Sequence, residues 1–185
     1  MDQDDDAIFQ TVLHVVTRYG MRRTTMAELA RGAGVSRQTL YDRFGDKDGI
    51  MAATIEHAGA NLVKDLRLGF AQTRNLEEKL DCYLNTAVWP AFEIFQAMPD
   101  AADLETGMGP ASIANTRKVS EAKQKLLAEV LAEHLEDSDQ SAKSVAEFLE
   151  RSTDRAKKSE ITRDELEQFL TVLKASILAL ALARA

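Results

Sequence analysis

Residues 25 to 47, TMAELARGAGVSRQTLYDRFGDK, leave little freedom in how they fold: they read as a helix, a tight glycine turn and a second helix. Thr25 stands where a helix N-cap is expected. Glu28, three residues on, completes the capping-box spacing, in which each side chain satisfies a backbone donor near the other. Leu29, Ala30 and Ala33 then share one side of a helix over 26–33, leaving Glu28 and Arg31 to water, and Gly34 supplies the left-handed conformation that ends it. Val35 plugs the angle between the two helices. Ser36 caps the second, over 37–44, whose inward residues are expected to be Leu40, Tyr41 and Phe44.

Outward, the second helix carries Arg37, Gln38, Thr39, Asp42 and Arg43, side chains suited to base-edge hydrogen bonds, thymine methyl contact and phosphate contact. An ordinary solvated helix could have this composition, so charge distribution matters. The whole chain carries −7, but residues 18 to 47 hold Arg18, Arg22, Arg23, Arg31, Arg37, Arg43 and Lys47 against Glu28, Asp42 and Asp46, a balance of 7 − 3 = +4. A local cationic patch in an acidic protein is the asymmetry that phosphate binding requires. Arg37, Gln38 and Thr39 are the expected base readers; Asp42 joins them if its carboxylate finds a cytosine amine or a neighbouring arginine.

The longer run TTMAELARGAGVSRQTLYDRFGDKDGIM resembles the N-terminal DNA-binding domain of the TetR family of bacterial transcriptional regulators, whose core pattern is T-T-x-x-x-I/L-A-x-x-A-G-V-S-x-x-T-L-Y-x-x-F-x-x-K. The likeness covers about the first third of the chain. It departs at Gly49, where the family more often has a helix-favouring residue. The resemblance implies an all-α fold: a three-helix DNA-binding domain over 1–48 and a helical effector-binding and dimerisation domain over 49–185. It also implies that Thr25, Tyr41, Arg43 and Lys47 touch DNA phosphates.

The flanking sequence fits. Ile8, Val12, Val15, Val16 and Tyr19 follow helical spacing over about 7–19, ended by Gly20, and should pack across the helix pair. Asp2, Asp4, Asp5 and Asp6 precede them at the positive end of the helix dipole, with no DNA role expected. After Gly45, Asp46 caps a long helix with Ile50, Met51, Ile55, Leu62, Val63 and Leu66 as its stripe, to about Phe70. Further helices are expected at about 76–97, 100–106, 110–135, 141–157 and 162–183, about nine in all, with no strand pattern. Pro90 should kink or divide the first of these, and Pro99, Gly107 to Pro110, Asp137 to Gln140 and Lys157 to Ser159 should be turns or connections.

Two surfaces are expected in the C-terminal helices. Thr162 and Glu165 repeat the capping box, and Leu166, Phe169, Leu170, Leu173, Ile177, Leu180 and Ala181 form an apolar seam; with Val145, Phe148 and Leu149 it resembles the family's homodimer surface. A dimer would place two reading helices about one DNA turn apart, ~34 Å, over a pseudo-palindrome of double-stranded DNA. The aromatics Tyr83, Trp89, Phe92 and Phe95, with Cys82, Thr86, Met98 and Met108 nearby, read either as core or as lining for a small-molecule effector. Glu93 is the one charge between Tyr83 and Met98, so such an effector would be apolar or amphipathic.

Other function classes find little support. His14, His57 and His134 are scattered, no His–Glu pair has metal spacing and no glycine-rich loop could hold phosphates, so no catalytic residue, metal site or cofactor is expected. The single cysteine, Cys82, reads as a small core residue, and the opening MDQDDD does not resemble a secretory leader, which makes the cytoplasm the expected location. The longest apolar run, at 175–183, falls short of the ~20 residues of a spanning helix, so no membrane partner is expected. The expected function is that of a sequence-specific DNA-binding regulator, a ligand-released repressor; the alternative is a ligand-independent architectural or protein-recruiting dimer.

Overall fold

The computed structural model describes residues 3–98, 104, 106–135 and 141–182. Within them the chain is all-helical: α1 (Gln3–Tyr19), α2 (Met26–Ala33), α3 (Arg37–Phe44), α4 (Lys47–Ala71), α5 (Leu76–Tyr83), a π-helical turn (Leu84–Val88), α6 (Trp89–Ala97), α7 (Pro110–Ala132), α8 (Ala142–Lys157) and α9 (Arg163–Leu182). The α5, π and α6 stretches run on without a break. Most of the piece expected at 100–106, Pro99, and the connection at 137–140 lie outside the described residues.

Local chemistry sets the boundaries. Thr25 and Glu28 form the full capping box of α2, Ser36 Oγ accepts from Thr39 N at the start of α3, and Asp46 Oδ1 accepts from Gly49 N at the start of α4. Thr162 and Glu165 form the corresponding reciprocal bonds before α9. Gly34, at φ 68°, ends α2 with its N–H turned back to Ala30 and Arg31 carbonyls. Pro90 does not divide its helix as a break. The Trp89 N–H reaches Leu84 O, and the wider π turn ends just before the proline, easing the clash its ring would make with the carbonyl four residues back.

The described contacts form two compact units, Met1–Ala60 with Glu93–Val119, and Asn61–Phe92 with Ser120–Ala185. The first has its own core of Ile8, Phe9, Val12, Val15, Val16, Met21, Met26, Leu29, Ala30, Leu40, Ile50, Met51 and Leu104. Tyr19, expected inside, is exposed, and Phe9 takes up that share of apolar burial from the other end of α1. The second unit is built around Leu66, Phe70, Tyr83, Leu127, Leu131, Leu149, Leu166 and Ile177, among others. No helix among the described residues is long and apolar enough to cross a membrane.

Candidate nucleic-acid interface

One buried side chain anchors α3. Leu40 is 0% exposed in the core shared with α1 and α2, and Phe44 is partly buried, meeting Phe9 edge-on with ring centroids 5.9 Å apart. The rest of the helix is left to solvent: Arg37, Gln38, Tyr41, Asp42 and Arg43 are exposed and Thr39 is half-buried. Tyr41 corrects an expectation, since at 48% exposure it belongs to the outer face and not to the core. Four-residue spacing from Arg37 carries it around to the outer side, and Leu40 with Phe44 makes the inward contact.

On that face the polar groups already engage one another. Gln38 Nε2 donates to Asp42 Oδ1 at 2.6 Å, joining two expected base readers one helical turn apart. The Thr39 and Ser36 hydroxyls are 2.8 Å apart. Thr25 is exposed at the N-terminus of α2, where its hydroxyl and backbone N–H both donate to Glu28; these bonds hold the Glu28 carboxyl below the usual carboxylate range.

The two remaining expected phosphate ligands are engaged within the protein. Arg43 forms an ion pair with Asp5 in the first turn of α1, and its guanidinium lies over the Phe44 ring at 5.2 Å. Lys47 Nζ donates to Met21 O at 2.8 Å, so the ammonium is held where α4 begins, close to the connection between α1 and α2. The Asp5 contact has no signature in the sequence, because a carboxylate 38 residues away from Arg43 shares no periodicity with it.

A second residue escaped the sequence reading. Asp48, next to Lys47, accepts from the backbone N–H groups of Gly109, Ala111 and Ser112 at 3.1, 2.8 and 3.1 Å, so it caps α7 from a helix some sixty residues earlier in the chain. Ser112 Oγ returns a bond to Asp48 O, and one turn on Asn115 Nδ2 donates to Ala52 O at 2.9 Å. Burial raises the Asp48 pKa, but the bonds from Ser112, Ala111 and Gly109 outweigh it and leave the carboxyl below its ordinary value. Gly49, the departure noted above, has a steric reason: a Cβ there would run into the Phe44 carbonyl oxygen at the end of α3.

The other expected sites are distributed as follows. Of the effector candidates, Tyr83 and Phe92 sit in the core of the second unit with Cys82 and Trp89 packed against it and Thr86 half-buried, whereas Phe95, Met98 and Met108 pack against the core of the first. Of the seam residues, Val145, Leu149, Leu166, Leu170, Leu173 and Ile177 are buried in the protomer's own core, Leu180 is partly buried, and Phe148 and Phe169 are exposed. Val172 and Leu182 are exposed beside them in sequence on α9.

A capped helix, a left-handed glycine and an exposed, arginine-bearing second helix on a small three-helix core define a helix-turn-helix DNA-binding domain. Residues 9–54 match the model of the bacterial regulatory proteins of the tetR family. An uncharacterised HTH-type transcriptional regulator of Mycobacterium tuberculosis is 39% identical over 61 residues, 33% of this chain and 32% of that protein, so the match spans about a third of each. Over this N-terminal domain the chain is thus similar to the helix-turn-helix regulators of the tetR family. Its fold is that of a TetR-family transcriptional regulator of Pectobacterium atrosepticum, at 22% identity and a TM-score of 0.67 over 98% of this chain and 95% of the other. It is also that of the transcriptional regulator FadR of Bacillus subtilis, solved in complex with stearoyl-CoA, at 14% identity and a TM-score of 0.70 over 95% and 96%.

Proposed function

We propose that this protein is a ligand-responsive repressor that binds a pseudo-palindromic operator as a homodimer inside the cell. The observation that carries the reading is the solvent-exposed outer face of α3, with Arg37, Gln38, Tyr41 and Asp42 all open to water on a helix fixed by Leu40 beneath. Arg37, Gln38, Thr39 and Asp42 read base edges in the major groove; Thr25, Tyr41, Arg43 and Lys47 bind the backbone. Domains over 1–48 and 49–185 divide this work.

The exposed Phe148, Phe169 and Val172 on α8 and α9 support self-association, since large apolar side chains in water mark an interface. Dimerisation doubles the DNA contacts and converts weak single-domain binding into operator binding. A small apolar or amphipathic effector favours the form that does not bind DNA, and can do so only by its difference in affinity for the two forms. The complex of one fold neighbour with stearoyl-CoA supports a small molecule in that role. The test is selection of bound duplexes from a random pool: two inverted half-sites are expected, and a pool without an enriched motif contradicts the reading.

A further inference from the structure

Opposite charges meet between the first turn of α1 and the last turn of α3. Asp5 and Phe9 are four residues apart and share one face of α1. That face meets the end of α3: the Phe9 ring, 5% exposed, lies edge-on to Phe44, and Asp5 forms its ion pair with Arg43, the residue before Phe44. Phe9 also lies 5.0 Å, centroid to centroid, from the ring of His57 on α4, and His57 Nε2 is 3.0 Å from Asp6 Oδ1. The turn that carries Asp5 is therefore fixed against both α3 and α4, and its carboxylate does not sit at a fraying end.

The fold has little need of the Asp5–Arg43 pair. Ile8, Phe9 and Val12 are buried and hold this end of α1 by apolar contact. A carboxylate in the first turn already gains from the positive end of the helix dipole without a cation beside it. The Asp5 and Arg43 side chains keep 18% and 33% of their surface in solvent, and pairs so open contribute little stability. What the pair does change is Arg43. Its guanidinium lies with one face on the Phe44 ring and an end on Asp5, while Asp5 Oδ1 is closed to water and has no other partner among the described residues.

We propose that Asp5 is an internal competitor for the DNA backbone: it occupies Arg43 in the DNA-free protein and is displaced when a phosphate takes the guanidinium. This rests on the reading that Arg43 is a phosphate ligand. The exchange balances in charge. The phosphate gives up a condensed cation on meeting Arg43, and Asp5, left alone, draws a cation from solution, so Arg43 adds little to the net release of counterions. The penalty is the same for every sequence, and it lowers occupancy of arbitrary DNA without altering which operator is preferred.

The test is a set of anisotropy titrations of the full-length protein against an arbitrary duplex and a selected operator across salt concentrations. It compares the native chain with Asp5→Asn, Asp6→Asn, Arg43→Ala and the double variant Asp5→Asn with Arg43→Ala. Asp5→Asn is expected to tighten both duplexes about two- to fivefold for each bound head. It should also steepen the salt dependence by up to about one unit per head, a change that a merely structural pair would not produce. Asp6→Asn removes the same charge one residue along without touching Arg43 and should change both quantities less, as should Asp5→Asn in the Arg43→Ala background. Should the asparagine variant fail to fold, Asp5→Ser, which keeps an acceptor near the helix start, repeats the measurement. Equal tightening by Asp5→Asn and Asp6→Asn, the same gain with and without Arg43, or no tightening at all overturns the competitor. If Arg43→Ala weakens both duplexes while Asp5→Asn does not tighten them, the competitor alone falls; if Arg43→Ala leaves affinity and salt dependence unchanged, the phosphate role of Arg43 falls with it.

Discussion

At the scale of single residues, the DNA face divides into side chains that are open and side chains that are held. Arg37 is exposed and makes no ion pair among the described residues, so its guanidinium is available to a guanine edge. Arg37→Ala is therefore expected to cost about 1–3 kcal/mol of operator binding and to relax sequence choice at one position. Lys47→Ala removes the positive charge proposed to meet the DNA backbone and should weaken all duplexes alike, flattening the salt dependence by about one unit. Fluorescence anisotropy across salt concentrations and a panel of duplexes separates the two, and identical profiles would contradict the assignment. On the proposed reading, Arg43 exchanges Asp5 for a phosphate when DNA arrives. Asp5→Asn should then tighten binding to any duplex, operator or not, where a purely structural pair would leave affinity unchanged or lower it.

At the scale of helices, capping and burial decide what holds. Asp48 has a pKa below its ordinary 3.8, so its stabilising effect is complete above that value and is lost as pH falls through the lower, folded one. Asp48→Asn should remove the part of acid destabilisation that falls below about pH 4, and Asp48→Ala should cost ~0.5–2 kcal/mol at neutral pH, as loss of a cap does. Thermal unfolding across pH checks both. What was legible in the sequence was local: Thr25 with Glu28, Ser36, Thr162 with Glu165 and the glycine after α2 all act within a few residues, and they set the helix ends where spacing expects them. What was not legible depended on chain segments meeting. Asp48 capping α7, Asp5 on Arg43 and Gly49 against Phe44 have no signature at short range. The buried ion pair of Lys123 on α7 and Glu150 on α8 could have been noticed, because Lys123 shares the helical face of Leu126, Leu127 and Leu131, and Glu150 that of Ala146 and Thr153. Spacing also could not tell which apolar residues of α8 and α9 face inward, since the seam is wider than one interface.

At the scale of the whole molecule, the account needs two copies of the chain. Phe148 and Phe169 are 56% and 38% exposed, and placing a carboxylate there in Phe148→Glu with Phe169→Glu should leave the helical content intact and yield a monomer by sedimentation. Such a monomer should lose operator binding far more than it loses weak binding to arbitrary DNA, because only the paired heads gain from a second half-site. The central claim, that α3 reads sequence from its exposed arginine-bearing face, is tested most directly by selecting duplexes from a random pool with the native protein and with Arg37→Ala. The account predicts two inverted half-sites centred about one helical turn apart for the native protein, with information lost at one symmetric pair of positions in the variant. Recovery of the same motif by both proteins, or of no motif by either, would contradict it.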